Sequence, residues 1–160
     1  MTDAERLIEE HYVEVYRLAL RLLGDPDAAV ELTQEVFYRA IRGLSRFRGE
    51  SSARTWLFRI ALNEARRPRR RYATATPDAL AGSASSDPGP EDVTLARLDA
   101  ARLHQLIRAL PNPYREAVVL HYLQNLDLRA VAELLGAPEN TVKTWLHRAR
   151  GRLREAWGEP

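Results

Sequence analysis

Cysteine is absent from this chain of 160 residues, which excludes disulfide bonds and metal sites built on thiolates. No apolar run approaches the roughly 18 residues that a membrane-spanning helix requires. The N-terminal stretch MTDAERLIEEHYVE is acidic, whereas a signal peptide begins with basic residues and continues with an apolar segment. The sequence therefore predicts a cytoplasmic protein that is not inserted directly into a membrane.

Patterns typical of catalytic and metal sites are also missing. None of the four histidines stands at metal-ligand spacing from another, and the glycines do not form a phosphate-binding loop. No pairing of a nucleophile with a general base is apparent. We therefore expect no metal site, no cofactor and no enzymatic activity. The histidines are His11, His104, His121 and His147.

Alternation of apolar and polar residues with period 2, the sign of a half-buried strand, does not occur, while helical periodicity is widespread. Residues 73–94, ATATPDALAGSASSDPGPEDVT, are rich in Ala, Ser, Pro and Gly and contain four acids and no base. Such a composition predicts a flexible linker. We therefore expect an all-α protein with two small helical domains, residues 1–72 and 95–160.

The first half carries the start and stop signals of three helices. Thr2 and Glu5 form a capping-box pattern at the start of the first helix. Gly24 ends it, and the Asp-Pro pair that follows starts the second helix. A third helix is predicted from near Ser52, after the loop FRGESS. Pro68 ends it near residue 67, because proline lacks the N–H and clashes with the preceding turn.

The second half predicts four further helices. Gly-Ala-Pro at 136–138 separates the last two, and the final helix places apolar residues at positions 142, 146, 149 and 153 on one stripe among Lys and Arg. A short apolar helix, a tight turn and a longer basic helix form the helix-turn-helix pattern. The predicted ranges are about 95–109, 114–124, 128–135 and 138–156.

A helix-turn-helix places its last helix in the major groove, with the N-terminal residues near base edges and the basic residues near phosphates. Two other interpretations remain open from the spacing. One is a basic, solvated helix in an all-α domain, and the other is a helix on a membrane surface, for which the apolar stripe is narrow. The residues predicted to contact DNA are Glu139, Asn140, Thr141, Lys143, Thr144, His147, Arg148 and Arg150.

Two stretches resemble those of a known family. TVKTWLHRARGRLREA (141–156) resembles the recognition helix of region 4 in extracytoplasmic-function (ECF) sigma factors, and LTQEVFYRAIRGLSRFRGESSARTWLFRIALNEA (32–65) resembles their region 2. The two motifs follow the family order, one on each side of the predicted linker. The resemblance implies that residues 1–72 are region 2, which acts at the −10 promoter element, and that residues 95–160 are region 4, which reads the −35 element.

In region 2, the family pattern acid-x-x-Gln-Glu matches Glu31, Gln34 and Glu35. The resemblance implies that these residues dock on the β′ clamp of core RNA polymerase, where acidic groups suit a basic partner. An ordinary solvated helix face is the alternative interpretation of the same three residues.

The loop RFRGESS (46–52) and the helix after it resemble the part of the family that captures an unpaired base of the −10 element. Ser51, Ser52 and Asn63 offer hydrogen bonds to a base. Trp56 matches a family tryptophan, although packing between helices is the simpler role for it. The arginines are expected at phosphates or on a solvated face. The residues assigned to −10 DNA are Ser51, Ser52, Arg54, Trp56, Arg59, Asn63, Arg66 and Arg67.

The resemblance thus implies an ECF sigma factor that binds core RNA polymerase through the β′ clamp and the β flap, and that directs promoter-specific transcription initiation. It would recognise the −35 and −10 elements and capture unpaired −10 DNA. The implied partners are core RNA polymerase, promoter DNA and an anti-sigma factor, which holds many relatives inactive. The rival interpretations are a helix-turn-helix regulator that acts without the polymerase and a helical adaptor that binds only proteins.

Overall fold

The computed structural model describes residues 1–68 and 91–158, with the backbone alone over 91–96. Within these ranges the protein is almost entirely helical and contains no strand, which confirms the all-α prediction. The chain divides into two compact units, Met1–Ala75 and Thr76–Pro160. The helices are α1 (Asp3–Leu23), α2 (Pro26–Gly43), α3 (Ala53–Ala65), α4 (Glu91–Ala109), α5 (Tyr114–Val118), α6 (Leu128–Leu135) and α7 (Glu139–Trp157), with a 3₁₀ turn at Leu44–Arg46 and a π-helical turn at Val119–Leu123.

The first unit is a bundle in which α1, α2 and α3 each pack against the other two. Its core is apolar and closed to solvent, with large side chains of all three helices fully buried. Each such side chain stabilises the fold by about 1.5–3 kcal/mol relative to leaving it exposed. The centre of this core consists of Val15 and Leu18 of α1, Leu32 and Val36 of α2, and Phe58 of α3.

The helix boundaries predicted for this unit are confirmed by their caps. Thr2 and Glu5 form the reciprocal capping box, with N–H···O distances of 3.1 and 3.0 Å. Gly24 ends α1 with a φ of 74°, a left-handed conformation that favours glycine. The carboxylate of Asp25 accepts hydrogen bonds from the first turn of α2. These local contacts fix where each helix starts, and so which side chains face outward.

The second unit packs α7 against α4, α5 and α6. The predicted helix near 114–124 is formed by α5 and the π-helical turn that continues it. Val119 and Leu120 of that turn are buried, together with Val131 of α6 and Val142 of α7. These side chains fix the angle at which α7 leaves the turn after α6, and thereby the face that α7 presents to solvent.

Helix α4 begins at Glu91, earlier than the predicted start near residue 95. Acidic residues favour the first turn of a helix because they interact with its dipole, and the sequence EDVT supplies two of them at 91–94. The acidic end of the predicted linker is therefore helical. The rest of that linker, and the predicted domain boundary at residue 72, lie outside the described residues and stay predictions.

Candidate functional site

The outer face of α2 presents the residues predicted to bind polymerase. Glu31 and Gln34 are exposed, and Glu35 is half-buried. The helix turns these residues outward because Leu32 and Val36, their neighbours in sequence, are buried in the core. The structure thus brings the three residues together on one accessible surface.

Apolar residues that the sequence analysis missed extend this surface. Val30, Tyr38 and Ile41 are 37%, 56% and 39% exposed, which is high for large apolar side chains. Val30 and Tyr38 lie four residues before and after Gln34, so the helix places them in line with it. Arg42 donates a hydrogen bond of 2.7 Å to the hydroxyl of Tyr38 and covers its ring. The periodicity 30, 34, 38, 41 was visible in the sequence as the signal for this stripe.

An ionic chain links α2 to the C-terminal end of α3. Nε of Arg39 lies 2.9 Å from Oε1 of Glu35 and 2.8 Å from Oε1 of Glu64. The same oxygen of Glu64 lies 3.6 Å from Nε of Arg67. Glu64 is buried, whereas Arg67 is exposed. Two residues assigned to different sites, Glu35 and Arg67, therefore belong to one network.

At the start of α3, Ser52 is the helix cap. Its hydroxyl accepts a hydrogen bond of 3.1 Å from the N–H of Thr55 and lies 2.9 Å from the Thr55 hydroxyl. Ser51 donates a weaker, exposed hydrogen bond of 3.3 Å to the carbonyl of Ser52. Ser52 thus has a structural role besides the predicted contact with a base, while Ser51 is held only loosely.

Trp56 lies at the surface of α3 in stacked contact with Phe47 of the preceding loop, with ring centroids 4.6 Å apart. It is half-buried and also approaches Gly43 at the end of α2. Trp56 therefore has the packing role that the sequence analysis gave as the simpler interpretation of this residue. The stack fixes the loop against α3, and the indole keeps part of its surface exposed.

The other residues assigned to −10 DNA divide into two groups. Arg59 is half-buried, Asn63 and Arg66 are exposed, and all three share with Trp56 one face of α3 because they are three or four residues apart. Arg54 lies elsewhere. Its Nε is 3.0 Å from a carboxylate oxygen of Glu14, and its guanidinium lies over the ring of the buried Phe58. Arg54 therefore ties α3 to α1, and it stands apart from the remaining candidates.

The turn between α6 and α7 has the geometry of a helix-turn-helix. Gly136 adopts a φ of 66° and ends α6, and the N–H of Ala137 donates to the carbonyl of Ala132 at 3.1 Å. Pro138 precedes α7 without a side-chain cap. The first N–H groups of α7 lack a capping side chain for that reason, and such groups are suited to a phosphate oxygen.

Helix α7 turns its predicted DNA-binding residues toward solvent. Val142, Leu146 and Ala149 are buried against the rest of the unit, which confirms the predicted stripe at these positions. The hydroxyl of Thr144 is engaged within the helix, by a hydrogen bond of 3.1 Å to the carbonyl of Asn140. The exposed members of the set are Glu139, Asn140, Lys143, Thr144, His147, Arg148 and Arg150, and Thr141 is half-buried.

Two tyrosines contact arginines of α7, a role that the sequence analysis did not predict for them. Arg150 donates a hydrogen bond to the hydroxyl of Tyr122 in the π-helical turn. The guanidinium of Arg152 lies 4.7 Å from the ring centroid of Tyr114. The partners are distant in sequence, so no local pattern could have predicted them. Both contacts orient basic side chains beside the candidate recognition surface.

No helix in the described part of the chain has the length and apolarity needed to cross a membrane. Among residues 1–68 and 91–158, no group of three or more His, Asp or Glu side chains is arranged to hold a metal ion. What the geometry does offer is an exposed polar and apolar surface on α2, a polar surface on α3 and a basic recognition helix. These features define a two-domain helical protein suited to binding proteins and DNA.

Family models match both units. The sigma-70 region 2 model matches residues 7–74, and the sigma-70 region 4 model matches residues 100–153. The candidate surfaces of α2 and α3 lie within the first match, and most of α7 lies within the second. The order of the two regions is that of the resemblance found in the sequence.

Curated relatives cover nearly the whole chain. The ECF RNA polymerase sigma factor SigW of Bacillus subtilis is 32% identical over 93% of this chain and 86% of its own length. The ECF RNA polymerase sigma-E factor of Escherichia coli is 30% identical over 90% and 81%. The ECF RNA polymerase sigma factor SigE of Mycolicibacterium smegmatis is 33% identical over 97% of this chain, which spans 62% of that relative.

The fold is also that of solved structures. CnrH, solved in complex with the cytosolic domain of CnrY, has a TM-score of 0.72 at 26% identity, over 96% of this chain and 86% of that one. The sigma factor RpoE of Bartonella quintana, solved with the anti-sigma factor NepR, has a TM-score of 0.72 at 23% identity, over 97% and 96%. The chain belongs to the ECF sigma factors of the sigma-70 family. It binds core RNA polymerase and directs promoter-specific transcription initiation.

Proposed function

We propose that the individual surfaces divide the work of a sigma factor as follows. The outer face of α2 docks on the β′ clamp, the loop before α3 and the solvent face of α3 capture unpaired −10 DNA, and α7 reads the −35 element. The second unit also contacts the β flap. The observation that carries this proposal is the co-occurrence, in one chain, of an exposed docking face on α2 and a basic recognition helix α7.

The docking role of α2 is supported by its mixed surface. Gln34 offers amide hydrogen bonds, Glu31 offers a charge, and Tyr38 and Ile41 offer exposed apolar area. Interfaces of this kind place apolar side chains at the centre and polar ones around them. An ordinary solvated helix would not need the exposed apolar stripe, so the stripe favours a protein partner.

The −10 role of α3 is supported by the face that Trp56, Arg59, Asn63 and Arg66 share. Base capture requires hydrogen-bonding groups for the base edge and a flat surface for its ring. Asn63 is exposed and can pair with a base edge on two sides, and the half-buried indole of Trp56 lies two turns earlier on the same face of the helix, where its edge and any area not covered by Phe47 can contact a ring. The arginines of this face can bind the backbone phosphates.

The −35 role of α7 is supported by the exposure of its basic residues. Lys143, Arg148 and Arg150 are exposed around a buried apolar stripe, as expected for a helix that lies in the major groove. Such a helix performs no covalent chemistry, and we propose that the whole chain acts by positioning and strand capture while the polymerase carries out the reaction. It would accordingly act in the cytoplasm, where the polymerase works.

We also propose an anti-sigma factor as a partner. The structurally similar CnrH was solved with a protein bound to it, the cytosolic domain of CnrY. A soluble binding partner of that kind would compete with core polymerase for the exposed face of α2. Addition of core polymerase should then displace such a partner from the chain.

Run-off transcription tests the division of work. Core polymerase is mixed with the purified chain and fragments of the source genome, and the transcripts are mapped to obtain promoters. Promoters with base changes in the −35 element are then transcribed with the wild-type chain and with variants of Lys143, which should change the preferred −35 bases. Variants of Asn63 should instead change the preferred bases of the −10 element. A chain that binds duplex DNA but never supports initiation by core polymerase would instead be a helix-turn-helix regulator.

A further inference from the structure

The buried carboxylate of Glu64 lies at the centre of the ionic chain Glu35–Arg39–Glu64–Arg67. It is 2% exposed, and a buried carboxylate is costly unless cations pair with it. Arg39 pairs with it at 2.8 Å and Arg67 at 3.6 Å. Of these two contacts, the one with Arg39 is close and the one with Arg67 is loose, so Arg67 is held the more weakly of the two arginines.

Arg39 divides its interaction between two carboxylates. Its Nε is 2.9 Å from Glu35 and 2.8 Å from Glu64, and one N–H cannot satisfy both at full strength. Glu35 lies on the face of α2 proposed to dock on polymerase. A basic group of the polymerase that pairs with Glu35 would leave Arg39 to Glu64 alone.

We propose that this ionic chain couples polymerase docking to −10 DNA binding, with Glu64 as the positioning residue between them. The proposal rests on the functions proposed for α2 and α3. Docking engages Glu35, Arg39 then pairs more fully with Glu64, and the hold of Glu64 on Arg67 weakens. Arg67, 52% exposed at its side chain, is thereby released to pair with a phosphate.

The coupling is reciprocal, because two ligands that bind one protein change each other's affinity by the same factor. DNA that draws Arg67 away from Glu64 strengthens the pairing of Arg39 with Glu64, which in turn frees Glu35 for polymerase. Coupling between two sites usually amounts to a factor of about 5 to 150. A single exposed arginine should give the low end of that range, about 5-fold.

The test measures how far DNA tightens polymerase binding. The dissociation constant of the labelled full chain and core polymerase is measured by fluorescence anisotropy, without DNA and with a saturating promoter fragment. The fragment is one found by run-off transcription, with its −10 region mismatched so that it is already open. The dissociation constant without DNA is divided by the constant with DNA, and this ratio is compared between the wild type, Glu64→Gln and Glu9→Gln. Glu9 is an exposed residue of α1, and its substitution gives the same charge change.

We expect Glu64→Gln to lower the ratio about 5-fold and Glu9→Gln to leave it unchanged. An equal ratio in the wild type and in correctly folded Glu64→Gln would overturn the proposal. Should Glu64→Gln fail to fold by circular dichroism, Arg39→Gln decides, since Arg39 contacts neither DNA nor polymerase in the proposal: a lowered ratio supports the coupling and an unchanged one overturns it. A wild-type chain that does not bind core polymerase would refute the proposed docking itself, which is a different result.

Discussion

Arg150 of the recognition helix donates a hydrogen bond to the hydroxyl of Tyr122, a residue 28 positions earlier in the chain. Tyr122 belongs to the π-helical turn and is 43% exposed. The hydroxyl accepts from Arg150 and keeps its own hydrogen for another acceptor. The pair therefore presents an oriented guanidinium and a phenolic O–H side by side, a combination suited to one DNA phosphate.

Tyr122→Phe should weaken promoter binding without changing its salt dependence. The substitution removes one hydroxyl and leaves the charge of Arg150 in place, so the loss should be that of a single hydrogen bond, about 0.5–1.5 kcal/mol. Titration of holoenzyme with labelled promoter DNA at several salt concentrations gives both quantities. A wild-type affinity for Tyr122→Phe would show that the tyrosine does not support the contact.

Arg150→Ala should change the salt dependence itself. If Arg150 pairs with a phosphate, its removal lowers affinity, and the slope of log K against log salt becomes shallower by about one unit. The same titration measures this slope, and Tyr122→Phe serves as the matched variant that keeps the charge. A slope equal to that of the wild type would place Arg150 away from the phosphates.

Ser52→Ala should destabilise the first unit. The hydroxyl of Ser52 caps α3, and loss of such a cap costs about 1 kcal/mol. Ser51→Ala is the control, because the Ser51 hydroxyl makes only an exposed, long contact. Amide hydrogen exchange in α3 measures the free energy of unfolding locally. Equal protection in both variants would mean that the cap contributes nothing.

Gly136→Ala and Gly151→Ala should shift stability in opposite directions. Apart from the adjoining backbone, no atom lies within 4 Å of an added Cβ at either position, so the two substitutions differ in backbone conformation and not in packing. Gly136 has a φ of 66°, where an L-residue costs about 1–2 kcal/mol. Gly151 lies inside α7, where alanine should stabilise the helix by about 0.5–1 kcal/mol. Urea unfolding followed by circular dichroism measures both shifts, and a neutral Gly136→Ala would contradict the strain argument.

The sequence predicted the helices well because their boundaries depend on local chemistry. The capping box at Thr2, the stop at Gly24 and the cap at Ser52 each involve residues within three or four positions of one another. The start of α4 was placed too late because an acidic, alanine-rich stretch is compatible with both a linker and the first turn of a helix. Composition alone does not separate those two states.

The contacts that organise the candidate sites were not predictable in the same way. Arg39 and Glu64 are 25 residues apart by their numbers, and Arg150 and Tyr122 belong to different helices. Packing of the helices decides which of many charged side chains meet, and periodicity carries no information about such pairs. The exposed stripe around Tyr38 was missed for a related reason, since an apolar residue on a helix is expected to face the core.

The central claim is that the chain binds core RNA polymerase through α2, and co-elution on a sizing column tests it most directly. The purified chain is mixed with core polymerase beside a variant carrying both Gln34→Ala and Glu35→Ala. The wild type should elute with the polymerase, and the folded variant should elute alone, because two of the three polar groups proposed to dock are gone. A folded wild-type chain that elutes separately from the polymerase, or a variant that elutes with it as fully as the wild type, would contradict the assignment of this face.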